Sequence, residues 1–88
     1  MAFRWNSWNL EHIGRHAVEP TEAEEIVLHS RPPFPLEQRD HKYLVWGATE
    51  SGRLLQVVFL IDPDDSILVI HARELTDKEK RRFRRRTQ

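Results

Sequence analysis

Three runs of β-branched and aromatic residues, separated by two turn clusters, constrain this chain more than any other feature of its sequence. The first run is Lys42 to Thr49, closed by Glu50-Ser51-Gly52. The second, Arg53 to Ile61, is the longest apolar stretch and ends at Asp62-Pro63-Asp64-Asp65; the third is Ile67 to Arg73. Such runs suit the pleated, half-buried surface of a strand. Parallel neighbours need a crossover of a dozen residues or more, so turns this short join antiparallel strands. The expectation is an antiparallel β-meander.

The flanking segments read as helices. Phe3 to Trp5 suits a short opening strand, and Asn6 suits an N-cap because its side chain accepts a hydrogen bond from an orphan backbone N–H. Trp8, Leu10 and Ile13 follow with approximate helical spacing, and Trp5 and Trp8 are expected in the core. A second helix opens at Pro20, with Thr21 and Glu24 as its capping box, Ala23, Ile26 and Val27 inward, and Glu22 and Glu25 outward. Arg31-Pro32-Pro33-Phe34-Pro35 is a loop, since proline lacks a donor and restricts the residue before it, and it leads to an edge strand near Leu36. Thr76 and Glu79 cap a last helix over 76–86, in which Phe83 is the only large apolar side chain. Two N-terminal helices, an antiparallel meander and a C-terminal helix make an α+β fold, read as a single domain over residues 1–88. Helices on one face leave the other face of the sheet open.

Composition narrows the chemistry. There is no cysteine, which removes disulfides, thiol catalysis and thiolate metal sites. No apolar run approaches membrane-spanning length and the start lacks an apolar signal core, so a cytoplasmic protein without a membrane role is expected. The formal net charge of zero hides an asymmetry. Residues 1–65 hold six Lys/Arg against eleven Asp/Glu, and residues 66–88 hold eight against three. A basic footprint is therefore confined to the C-terminus.

Three groups of residues could carry chemistry. On alternation alone, His71 and Arg73 share a face with Ile67 and Val69, opposite Leu68, Ile70 and Ala72. An imidazole that moves protons near neutral pH beside a guanidinium that grips phosphate suits phosphate chemistry. The bland alternative is an Arg73–carboxylate ion pair and a satisfied sheet histidine. Arg53 and Lys42 open their strands and could add positive charge, or could be solvated strand ends. The run Lys80 to Arg86, with Arg81, Arg82, Arg84 and Arg85, gives a helix that could meet RNA, DNA or an acidic protein, or a solvated tail. His12 and His16 lie one helical turn apart, but two ligands do not make a metal site, and no metal or other cofactor is expected.

Several stretches also occur together in order: Phe3-Arg4-Trp5 with Asn9, Arg15-His16, Glu22-Ala23-Glu24-Glu25, Gly47, Gly52-Arg53-Leu54-Leu55-Gln56-Val57-Val58, Ile70-His71-Ala72-Arg73, and Glu79 with Arg82. In these the chain resembles the BrnT family, toxins of bacterial type II toxin–antitoxin pairs with a RelE-like ribonuclease fold. It departs from that pattern at Ala17, where the family usually has glycine, and at His71, where a small polar residue is more common. The resemblance implies a RelE-like curved sheet, metal-independent RNA cleavage that inhibits translation, RNA that is ribosome-bound in some relatives, and an antitoxin of ribbon-helix-helix type. For such an enzyme a ribose 2′-OH attacks the adjacent phosphate, which needs a base, a cation on the phosphate and a proton donor. Arg73 and Arg53 are then the phosphate stabilisers, His71 the acid or base, and Arg82 a further contact. The rival readings are a non-catalytic toxin-like binding module that contacts nucleic acid or protein through its basic last helix, and a metal-dependent hydrolase using His12 and His16.

Overall fold

The computed structural model describes residues 2–86; the side chain of Arg86 lies outside the described part. The elements are α1 (Ser7–Gly14), α2 (Pro20–Leu28), β1 (Leu36–Glu37), a single 3-10 turn at Arg39–His41, β2 (Lys42–Ala48), β3 (Leu54–Ile61), β4 (Ile67–Glu74) and α3 (Asp77–Arg86). The sheet order is β1-β2-β3-β4 with every pair antiparallel, the meander that the two turn clusters dictate. Gly52 takes φ 95° in the first of those turns, a conformation that favours glycine. The opening segment is less than a strand. Phe3 makes one isolated parallel bridge to Ile67, held by Arg4 N–H to Ile67 O and Ile67 N–H to Ala2 O, each 2.8 Å.

The core lies between the sheet and the first two helices. Ile13 of α1 and Ala23, Ile26 and Val27 of α2 bury against Val45, Leu55, Val57, Phe59, Ile67, Val69 and Ala72. α2 approaches β2 closely at Gly47, where a Cβ would stand 3.3 Å from the Ile26 side chain. The apolar reading of α1 needs correction, because Trp8 is 49% and Leu10 42% exposed. The buried positions are Asn9 and Ile13, four apart on one stripe. Asn9 is fully buried because it is hydrogen-bonded on every side: its N–H reaches Asn6 Oδ1 (3.0 Å), its Oδ1 takes Asn6 N–H (2.7 Å), and its Nδ2 donates to Arg4 O (3.0 Å).

Two further expectations change. Glu19, not Thr21, caps α2, and its N–H is taken by Glu22 Oε1 at 3.0 Å; Glu24 instead accepts the Trp5 indole N–H at 2.7 Å. The Thr76–Glu79 box of α3 forms as read, with Thr76 N–H to Glu79 Oε1 (2.8 Å) and Glu79 N–H to Thr76 Oγ1 (3.2 Å). The alternation along β4 breaks. Phe59 pairs with Val69 and Val58 with His71, so Ile70 is an extra, bulged residue. Beyond it the faces exchange: Ala72 joins Ile67 and Val69 in the core, while His71 and Arg73 turn to the opposite face. α3 lies over one end of that face, so the face is only partly open. Among the described residues no helix is long and apolar enough to cross a membrane.

Asn9 generates a stability prediction. Asn9→Ala leaves the Asn6 N–H and the Arg4 carbonyl without partners and should cost about 1–3 kcal/mol in urea unfolding. Asn9→Asp keeps the acceptor for the Asn6 N–H but sets a carboxylate oxygen against the Arg4 carbonyl at a fully buried position, so it should cost at least as much as alanine. A loss under about 0.5 kcal/mol for the alanine variant would refute the capping role.

Candidate functional site

Cross-strand pairing arranges the second face in rows. Trp46, Gln56 and Arg73 form one row; Leu36, Leu44, Val58 and His71 the next; Lys42, Leu60 and Leu68 the third. The first row is a connected polar chain. The Trp46 indole N–H donates to Gln56 Oε1 at 3.0 Å, and Arg73 Nη2 approaches the same oxygen at 3.4 Å. Arg82 of α3 stands over the Trp46 ring, 5.9 Å from its centre, and Phe83 packs beside Phe34, ring centres 6.4 Å apart.

Arg73 is committed in this arrangement. Its Nη1 and Nη2 meet Glu79 Oε1 (2.7 Å) and Oε2 (2.9 Å), and Nη1 also donates to Glu74 O at 3.0 Å. This fork-to-fork pair fastens α3 to β4. The hydrogen bond from Arg73, opposed by partial burial and aided by the Thr76 N–H, holds the Glu79 carboxyl down at about 2. Glu79 in turn raises Arg73. The ion-pair reading weighed for Arg73 is what the side chain does here.

Arg53 is committed elsewhere. It binds Glu22 through Nη1 (2.7 Å), Glu74 through Nε (3.2 Å) and the Ala17 carbonyl through Nη1 (2.9 Å). These partners tie it to α2 and the end of α1, on the core side of the sheet. The structure therefore places Arg53 and Arg73 on opposite faces and does not bring them to one phosphate. Glu22, expected outward, is half-buried by this contact.

The structure brings together two histidines instead. His16, just past α1, lies with its ring 5.6 Å from that of His71, edge to face. Ala17 makes this possible by adopting φ 55°, the left-handed turn conformation in which glycine is most at ease. Burial, then the charges of Arg73, His16 and His12, lower the His71 pKa below 6.5, so its imidazole is neutral and able to accept a proton near pH 7. His12 contacts its own helix, with Nδ1 3.0 Å from Trp8 O and its ring 4.0 Å from Trp8. Among the described residues no three His, Asp or Glu side chains converge to hold a metal.

Arg81, Arg82, Arg84 and Arg85 are exposed along α3, and Lys42 is exposed at the far end of the sheet face, two rows from Arg73. Sequence reasoning missed His16 as a partner of His71. The Arg15-His16 match pointed at the position, but only the αL turn at Ala17 brings the ring round. It also missed Gln56, whose placement opposite both Trp46 and Arg73 depends on register.

Acid should destabilise the fold in two stages. His71 has a folded pKa below its unfolded 6.5, so the unfolded chain takes the proton first and stability falls as pH drops through 6.5. Glu79 is depressed from 4.5 to about 2, so its contribution is complete above 4.5 and is lost as pH falls toward 2. In urea unfolding from pH 8 to pH 2, His71→Gln should remove the first stage, and Glu79→Gln should shrink the second to the part carried by Glu22 and Asp64, whose carboxyls hydrogen bonds also hold below their ordinary values. Arg73→Ala should cost about 1–3 kcal/mol at pH 7. Flat stability between pH 7 and 5 in the parent chain would refute the His71 part. No family model, curated protein or solved structure matches the chain.

Proposed function

We propose that this chain is a metal-independent endoribonuclease toxin that inhibits translation and is neutralised by an antitoxin, with His16 and His71 as its acid–base pair. The observation that carries the reading is the 5.6 Å approach of the two rings. Imidazoles this close can both reach one phosphodiester within hydrogen-bond distance. His71, held neutral by burial, takes the proton from the ribose 2′-OH. The 2′ oxygen bonds to phosphorus, the bond to the 5′ oxygen breaks, and His16 donates a proton to that leaving oxygen. The products are a 2′,3′-cyclic phosphate and a free 5′-hydroxyl. The arginines of α3 supply the positive surface along which the strand lies. The resemblance to BrnT toxins supports the same reaction class, a cytoplasmic setting, a ribosome-bound substrate and a ribbon-helix-helix antitoxin as partner.

One observation favours a second reading, a non-catalytic toxin-like module that binds RNA or protein through α3. Both arginines nominated for phosphate, Arg53 and Arg73, are held by carboxylates. Incubation with RNA, with and without ribosomes, separates the two readings. The enzyme should yield cyclic phosphate ends, and His71→Ala or His16→Ala should each slow cleavage about 100-fold or more while circular dichroism is unchanged. Intact RNA under all conditions would leave only the binding module.

The basic helix adds an independent measurement. On single strands each neutralised phosphate contributes about 0.7 to the slope of log affinity against log salt. Replacing Arg81 and Arg85 together by glutamine should lower that slope by about 1–1.5 if both touch phosphate. An unchanged slope with weakened binding of an acidic protein partner would assign α3 to the antitoxin instead.

A further inference from the structure

β1 pairs only with Tyr43 and Leu44, so from Trp46 to Ala48 no strand among the described residues pairs with the outer edge of β2, although Pro32, Pro33 and Phe34 stand beside it. In an antiparallel sheet alternate residues direct their N–H and C=O to opposite neighbours. Thr49 N–H bonds to Arg53 on the β3 side, whereas Lys42 O accepts Gln38 N–H on the β1 side. Even-numbered positions of β2 therefore point outward. Among the described residues, no backbone group from that side meets the N–H and C=O of Trp46 or Ala48. Such an edge is a template for another strand, and proteins usually blunt it with proline, charge or a covering element.

Here the edge forms the floor of an open groove of about 920 Å³. Glu24, Glu25 and the exposed Leu28 line it from α2, Phe34 and Phe83 from the α3 side, and Glu50 closes one end. The carboxylates of Glu24, Glu25 and Glu50 have no direct ion partner: none of the five ion pairs among the described residues includes them. Glu24 gives one oxygen to the Trp5 indole, and Glu25 gives one to the Glu50 N–H. Against the three stand Arg31 and His29 in the lining and Arg82 over the Trp46 ring, which leaves the lining with a net negative charge. The groove thus has a backbone edge that only another backbone matches, and a negative lining that repels phosphate.

We propose that this groove binds an extended, cationic segment of another protein, adding it as a strand to the edge of β2. Side chains of an added strand alternate. One set would face the carboxylates of α2 and the other the rings of Phe34, Trp46 and Phe83, so the segment alternates basic with apolar residues. The groove and the His16–His71 pair lie at opposite edges of the sheet, and the inference does not depend on the ribonuclease reading.

The test titrates the full chain with a short, end-blocked peptide alternating lysine and valine, read by amide chemical shifts and hydrogen exchange. Saturable binding should shift and protect Trp46 and Ala48, and the matching glutamate–valine peptide should not bind. Peptides N-methylated at every lysine, or at every valine, lose one set of donors each, and one of the two should bind at least about tenfold more weakly. Ala48→Pro removes one outward N–H at a position where an edge strand accepts proline, and should weaken binding about tenfold. If that variant fails to fold, the N-methylated peptides against the unaltered chain decide the matter. The proposal is overturned if both methylated peptides bind like the parent, if shifts map to α3 or His71, or if about 1 mM peptide gives no saturation. It is also overturned if sedimentation shows a second copy of the chain holding the edge.

Discussion

A single unpaired residue, Ile70, decides what each face of this sheet can do. Before it β4 sends Ile67 and Val69 into the core; after it Ala72 takes that role. Without the bulge, His71 and Arg73 would point into the apolar core under α1 and α2, where burying an unpaired guanidinium costs several kcal/mol. With it the last strand is apolar where the core needs filling and polar where α3 must be anchored. Bulges often re-aim a side chain next to a functional site. Here the re-aimed side chains are the histidine that meets His16 and the arginine that meets Glu79.

The remaining charges sort themselves by whether they hold the fold together. Arg53 joins the turn after α1, the first turn of α2 and the end of β4. By gripping the Ala17 carbonyl it steadies a left-handed residue that costs about 1 kcal/mol, and so helps fix His16 beside His71. Arg73 joins β4 to α3. With these two used inside the fold, the basic excess of residues 66–88 stays on the outer surface of α3. The acidic excess of residues 1–65 is left partly at the β2 groove. A chain with zero net charge therefore presents two surfaces of opposite sign.

Much of the architecture was legible because it depends on local rules. Turn clusters fixed the antiparallel order, and Asn6 and Thr76 capped the helices at which they were read. What was not legible depends on register. No rule of alternation reveals that Ile70 is skipped, and every face assignment beyond it inverts in consequence. The burial of Asn9 in place of Trp8 is of the same kind, since it rests on a carbonyl five residues back that only the folded turn presents. Among the candidate site residues, His71 and Arg73 do share a face. Arg53 does not join them, and His16 does, because an αL turn carries no signature when an alanine occupies it.

The Arg73–Glu79 pair bears on the two functional readings through the chemistry of exchange. A phosphodiester and a carboxylate both accept a bidentate guanidinium, so RNA that reached Arg73 would substitute one anion for another rather than uncover a bare charge. Glu79 would still hold the Thr76 N–H, so the cap of α3 would survive the exchange. The cost is the net worth of a half-buried pair, about 1–3 kcal/mol, within the reach of a few phosphate contacts by the neighbouring arginines. The same substitution is unavailable to Arg53, which holds two carboxylates and a carbonyl at once on the core side. Of the two arginines, only Arg73 therefore sits where both structure and chemistry allow it to change partners.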